Sequence, residues 1–195
     1  MGQRVKRQNL TDPAGIPDPF LSVFSTNLGW MGLLGGANGL ISLAIGHYDR
    51  EAVLRHFAST DAENPAGSPF TERDWNPELR QQVVDYCSGQ PVDFGDVILF
   101  YPRQTPFQQQ VVQATRAIPY GETRSYGQLA EAAHAPRAAR AVGTVMSSNP
   151  FPLIVPCHRV VASGGGLGGY TSHRGTSYKQ ILLDMEAEVA GVTSG

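Results

Sequence analysis

At 195 residues, 41% of them hydrophobic, the chain can bury a core as one large domain or two modest ones. Two cysteines, Cys87 and Cys157, exclude the dense disulfide framework of a small secreted domain, and no Cys/His cluster has zinc-ligand spacing, so no structural metal is expected. The net charge of −2 excludes a uniformly basic nucleic-acid binder, but residues 1–102 hold seven Lys/Arg against twelve Asp/Glu and residues 103–186 hold eight against four, so the second half is the one suited to phosphates.

Residues 1–19 are polar, proline-containing and aperiodic, and read as a disordered tail. Phe20 to Gly46 has no Asp, Glu, Lys or Arg and follows Arg4, Lys6 and Arg7, which superficially resembles a signal peptide or spanning helix. Asp12, Pro13, Pro17, Asp18 and Pro19 separate the basic residues from the apolar stretch. Asn27, Gly29, Gly35-Gly36 and Asn38-Gly39 then break it, so two strands joined by a turn are predicted and no membrane span. Residues 49–58 have helical spacing, with Val53, Leu54 and Phe57 on one face, and 64–68 read as a loop. A second helix is predicted over 77–88, carrying Leu79, Val83 and Val84 and stopping at Gly89; Asp96 to Tyr101 is extended. These elements make residues 20–101 an N-terminal α+β domain.

The character changes near Pro102 to Pro106. Phe107, Val111, Val112, Ala114 and Ile118 form the apolar stripe of a core-facing helix, which Pro119-Tyr120-Gly121 ends. Ser125 is placed to cap a short helix through Ala133, and Pro136 to open another running to near Ser147. Two short helices with a tight connection fit a helix-turn-helix, and an ordinary helical hairpin has the same spacing.

The helix predicted from Pro136 sets Arg140 among Ala138, Ala139, Ala141 and Gly143, a face with almost no side-chain bulk. Such a face suits close approach to a minor groove, whose code is degenerate. A packed core helix with Arg140 snorkelling to solvent gives the same pattern. Further on, Ile154-Val155 reads as a buried strand, Pro156 fixes a turn, and Cys157 stands beside His158 before the glycine-rich run 164–169. A cysteine near a base and oriented donors can have the lowered pKa that a nucleophile needs. Neighbouring side chains in an extended segment point apart, so His158 would act on Cys157 through a bridging water, with Glu186 polarising the imidazole from behind. On its own, Glu186 reads equally as a solvated acid on the last helix.

Taken together, Thr105 to Val111, Ile118 to Thr123, Ser125 to Ala130, Arg137 to Gly143, Ser148-Asn149-Pro150, Pro156-Cys157-His158-Arg159, Gly168-Gly169-Tyr170 and Lys179 to Glu186 stand in one order over roughly residues 100–187. This order and spacing resemble the C-terminal domain of the O6-alkylguanine-DNA alkyltransferases. Residues 20–101 resemble that family's variable N-terminal domain only loosely. The segment Tyr170 to Lys179 is longer than usual, Val112 stands where many relatives have tryptophan, and the zinc-associated residues of some relatives are not evident.

The resemblance implies a role for each matching residue. Cys157 would accept the alkyl group, with His158 as its base through water, Glu186 completing the relay and Asn149 bracing the turn. Tyr126 would donate to a guanine ring nitrogen, and Arg140 would fill the stack left by a flipped nucleotide. Carbonyls of Val155 and Val160, the backbone from Gly168 to Thr171, and the Tyr170 ring would line the guanine pocket. The implied whole is an α+β protein: tail 1–19, N-terminal strand/helix domain 20–101, a mostly helical C-terminal domain 102–187 with a winged-helix-like helix-turn-helix, and tail 188–195. It would act once per molecule, without cofactor, as an intracellular, cytoplasmic monomer on double-stranded DNA containing O6-alkylguanine. Two rivals are a lesion sensor of the same fold, whose known examples lack the acceptor cysteine, and a thiol hydrolase using Cys157 and His158.

Overall fold

The computed structural model describes residues 19–59, 70–170 and 174–191, so residues 1–18 of the expected tail over 1–19, the loop over 64–68 and residues 192–195 of the expected tail over 188–195 lie outside the described residues. The charge-free stretch forms three strands where two were expected: β1 (Phe20–Thr26), β2 (Gly29–Gly36) and β3 (Gly39–His47). The extra turn is local. Thr26 donates through Oγ1 to the Gly29 carbonyl at 2.8 Å and accepts from Leu28 N at 3.1 Å, closing a tight hairpin at Asn27-Leu28. With β4 (Thr71–Glu72) the sheet runs β3-β2-β1-β4, antiparallel except where β4 joins β1 in parallel.

Alternation along the strands sends two apolar sets to opposite faces. Leu21, Leu34, Ile41 and Ala44 pack on Val53 and Phe57 of α1 (Arg50–Ala58), which Asp49 caps through Ala52 N. Met31, Leu33, Leu40, Leu43 and Ile45 pack on Leu79, Val83 and Tyr86 of α2 (Pro77–Cys87), and on Phe151, Leu153, Ile154 and Val155. The sheet thus rests directly on the residues that lead to Cys157, and Leu43 N donates to the Pro150 carbonyl at 2.8 Å. Of the predicted extended segment over 96–101, only Leu99 makes a ladder contact, a single bridge with Leu40.

The second half is built on α3 (Pro106–Arg116), α4 (Tyr126–Ala132), α5 (Ala139–Ser147) and α6 (Gly175–Val189). Thr105 with Gln108, and Ser125 with Gln128, form complete capping boxes that start α3 and α4. Helix α5 begins at Ala139, not at Pro136. Ala138 N closes a turn on the Ala135 carbonyl at 2.8 Å, and Pro136 occupies the turn position its fixed φ suits. The strand expected at Ile154-Val155 is instead a buried turn, closed by Val155 N on the Phe151 carbonyl at 2.8 Å with Leu153 at φ 71°. Pro150, Pro152 and Pro156 leave too few donors there for a ladder. A two-stranded parallel sheet joins β5 (Arg124–Ser125) to β6 (Val160–Val161). Among the described residues, no helix is long and apolar enough to cross a membrane.

Candidate active site

Pro156 has φ −76° and ψ 67°, and Cys157 N donates to the Val155 carbonyl at 2.7 Å, so the proline sits at the centre of an inverse γ-turn. A single 3-10 turn, Cys157–Arg159, follows at once. This double turn, locked by the proline, aims three consecutive side chains into different surroundings.

Cys157 Sγ accepts from Asn149 Nδ2 at 3.2 Å, while the same amide reaches the Val155 carbonyl at 2.8 Å and Asn149 Oδ1 accepts from Phe151 N at 3.1 Å. Asn149 therefore ties the end of α5 to both sides of the turn. The thiol is 7% exposed. Burial pushes its pKa up, against the opposing pull of the Asn149 amide, the Lys179 charge and the backbone amides of Cys157 and His158. That reverses the lowered value expected of a nucleophile: the resting group is a thiol, and a nucleophilic role would require its proton to be removed.

His158 is fully buried, and its Nε2 lies 2.9 Å from Glu186 Oε1 and 3.1 Å from the Tyr86 hydroxyl. Glu186, 1% exposed, is no solvated acid. Its carboxylate accepts from Arg159 Nη2 at 2.8 Å and Nε at 2.9 Å, from Gly121 N at 3.1 Å, and from the Tyr86 hydroxyl. Burial alone would raise this carboxyl, but hydrogen bonds and charge from His158 and Arg159 outweigh it and hold the pKa at about 2. An ionised carboxylate only accepts, so His158 Nε2 carries the hydrogen and the ring lone pair sits on Nδ1. That Nδ1 is buried without a hydrogen-bond partner among the described residues. Burial lowers the imidazole pKa despite Glu186, so the ring is neutral at physiological pH. Gly121, at φ +77°, is required here: a Cβ would lie 2.6 Å from that of Ala190 and block the amide's approach to Glu186.

Cys157 lies at the edge of a 490 Å³ cleft bordered by Tyr126, Ala139, Arg140, Gly143, Gly169 and Tyr170. Six of the predicted residues are thus brought together with the thiol or around it. Ala138 is the N-cap position of α5 and Ala141 is exposed on it; neither borders the cleft. The Val155 and Val160 carbonyls are already engaged, by Asn149 and by Lys179 Nζ at 2.5 Å, and Thr171 lies outside the described residues. Tyr126 is packed under Gly168, where φ is +67° and a Cβ would stand 2.8 Å from the phenol oxygen. Burial and the neighbouring Cys157 push the Tyr126 pKa up, so it remains a donor. A larger groove of 700 Å³ runs between β3 and the ends of α3 and α5, bordered by Asn149 but not by the thiol, so the smaller cleft is the one that holds Cys157.

Sequence reasoning missed Tyr86, Arg159 and Lys179 as site residues. Tyr86 lies 72 residues before His158 in a helix with no local signal of function. Arg159 stood inside the signature without an assigned partner. Lys179, fully buried and lowered to about 8 by burial, donates to the Val160 and Leu167 carbonyls and staples β6 to the glycine-rich run. Among the described residues, no group of His, Cys, Asp or Glu could hold a metal ion.

A family profile described as "6-O-methylguanine DNA methyltransferase, DNA binding domain" matches residues 106–188. A methylated-DNA–protein-cysteine methyltransferase of Mycolicibacterium paratuberculosis is 40% identical over 153 residues, covering 76% of this chain and 86% of that protein. Its counterpart from Mycobacterium leprae is 56% identical over 109 residues, 56% of this chain and 64% of that protein. The crystal structure of Mycobacterium tuberculosis OGT in complex with DNA superposes with a TM-score of 0.68 at 34% identity, covering 87% of this chain and 94% of that one. The chain belongs to the methylated-DNA–protein-cysteine methyltransferase family.

Proposed function

We propose that this protein repairs double-stranded DNA by moving the alkyl group from O6 of guanine onto Cys157, once per molecule. The observation that carries the reading is a thiol bordering a cleft shared with Tyr126 and Arg140, beside a buried His158–Glu186 pair whose ring leaves Nδ1 unpaired. Family membership and the DNA complex of the M. tuberculosis relative support it.

In the step itself, Sγ attacks the alkyl carbon as the carbon–O6 bond breaks, and the electron pair stays on guanine. The thiol proton passes through one water to His158 Nδ1, and guanine takes an equivalent proton from solvent at its ring nitrogen. Ionised Glu186 stabilises the imidazolium that forms, and Tyr126 donates a hydrogen bond that disperses charge on the departing base. Asn149 holds Sγ in place. The thioether product has no route back to a thiol, so one turnover exhausts the molecule.

A base inside a duplex cannot reach a buried thiol, so the nucleotide must be flipped out, at a cost of a few kcal/mol. Helices α4 and α5, joined by the turn over 133–138, serve as a helix-turn-helix with β5 and β6 beside them as a wing. The small side chains of Ala138, Ala139, Ala141 and Gly143 let α5 approach the minor groove, and exposed Arg140 enters the vacated stack. Backbone of Val155, Val160, Gly168 and Gly169, with the Tyr170 ring, completes the guanine pocket. Residues 20–101 and 102–187 act as a supporting and a transferring domain. A free thiol and a DNA substrate support an intracellular location.

Intact-protein mass spectrometry after incubation with duplex DNA containing O6-methylguanine tests this, followed by peptide mapping. One methyl group on Cys157, saturating at one equivalent and absent in Cys157→Ala, is expected. Tight lesion binding without mass gain would make the protein a damage sensor instead, and continued transfer by Cys157→Ala would overturn the assignment.

A further inference from the structure

Tyr86 comes from the first half of the chain, yet its hydroxyl sits inside the relay. Helix α2 delivers it from the sheet side, fully buried, with its ring against Phe94 and Tyr120 at centroid distances of 5.9 Å each and against His158 at 6.4 Å. The hydroxyl donates to Glu186 Oε1, the oxygen that also accepts from His158, and its own oxygen faces Nε2 at 3.1 Å. Since Nε2 carries a hydrogen, the tyrosine oxygen is a second acceptor for it, and the imidazole is held at two points.

We propose that Tyr86 is a positioning residue of the transfer reaction, its hydroxyl bridging Glu186 and His158 so that the imidazole keeps its lone pair on Nδ1. This rests on the relay assigned above to His158. Two physical effects follow. A second acceptor at Nε2 restricts ring rotation. A donor on Glu186 Oε1 takes up part of the carboxylate charge, which would otherwise draw the Nε2 proton more strongly and make the ring more basic. The other groups acting on the imidazole are Lys179 and Glu186 of α6 and Arg159 of its own turn; Arg159 in turn lies over the Tyr120 ring, 5.6 Å from its centroid. Of these, only the charge on Glu186 changes when the hydroxyl is removed.

Tyr86→Phe keeps the ring and deletes the oxygen. Single-turnover methyl transfer from duplex O6-methylguanine should be followed between pH 5.5 and 8.5. The acid limb of the profile should move up by about one pH unit, a roughly tenfold loss of rate below the limb and nearly none well above it. A profile superimposable on the unaltered protein's overturns the inference, as does a uniform loss at every pH, which is what a merely structural role would give. His158→Gln separates the two levels. Slow transfer there with normal Tyr86→Phe removes only the tyrosine, whereas normal transfer there removes the relay itself. Should Tyr86→Phe fail to fold, nitrogen-15 NMR of histidine-labelled unaltered protein decides. A Nε2–H tautomer at His158 with an Overhauser contact to the Tyr86 hydroxyl proton is expected, and a Nδ1–H tautomer overturns the proposal.

Discussion

Replacing Glu186 by Gln keeps the side-chain shape and removes the charge on which Arg159 and His158 depend. The cost can be worked in two ways. The folded pKa of about 2 against an ordinary 4.5 corresponds to about 3 kcal/mol of stability, at about 1.4 kcal/mol per unit, and 1% exposure leaves little solvent screening to discount it. Independently, removing one partner of a buried ion pair costs about 3–5 kcal/mol, because the remaining guanidinium stays buried and uncompensated. The two agree. The sign follows from the depressed pKa: the contribution is complete above the unfolded value near 4.5, and it is lost as pH falls toward 2. Roughly half is gone by pH 3. Urea denaturation of both proteins, followed by circular dichroism at pH 7.5, 5, 4 and 3, should give a difference of about 3 kcal/mol at the highest pH that shrinks on acidification. Other carboxylates cancel in the difference. A difference that stays constant with pH, or that never reaches about 1 kcal/mol, would refute the ionised, charge-paired Glu186.

Arg140→Ala should weaken repair of duplex DNA while leaving alkylation by a small free O6-alkylguanine almost unchanged, since a free base needs no flipping; competition assays on the two substrates check it, and equal losses would remove the stacking role. Gly168→Ala places a Cβ 2.8 Å from the Tyr126 oxygen at φ +67°, so transfer should fall at least tenfold with about 1–2 kcal/mol of stability lost; a wild-type transfer rate would mean that the loop does not set the tyrosine.

Much of the second half was legible because its signals are local. The capping box of Ser125 and Gln128 acts over three residues, the small-residue run of α5 is a property of adjacent positions, and Pro156 shapes its own turn. Where local signals competed, reading them one at a time failed. Asn27 and Gly29 were visible as breaks, but not the Thr26 side chain that closes a hairpin between them. Pro136 suits a helix start and a turn equally, and the Ala138–Ala135 hydrogen bond selects the turn. The hydrophobic run at 153–155 specified burial but not conformation, and the flanking prolines decided against a strand.

By itself the sequence determined which groups are available: one thiol beside one imidazole in a rigid turn, an arginine on a bare helix face, and a glutamate near the C-terminal end. Tertiary structure alone decided their states. Cys157 rests as a thiol and Glu186 as an anion because each lost its water to a different set of neighbours, and those neighbours come from α2, Asn149 just past α5, the turn at Cys157–Arg159, α6 and the Gly121 turn. A protonation state is a difference between solvation by water and solvation by protein. Partners from 8 to 100 residues apart supply the second term, and those of Glu186 lie at least 27 residues away, so neither spacing nor composition could have shown it.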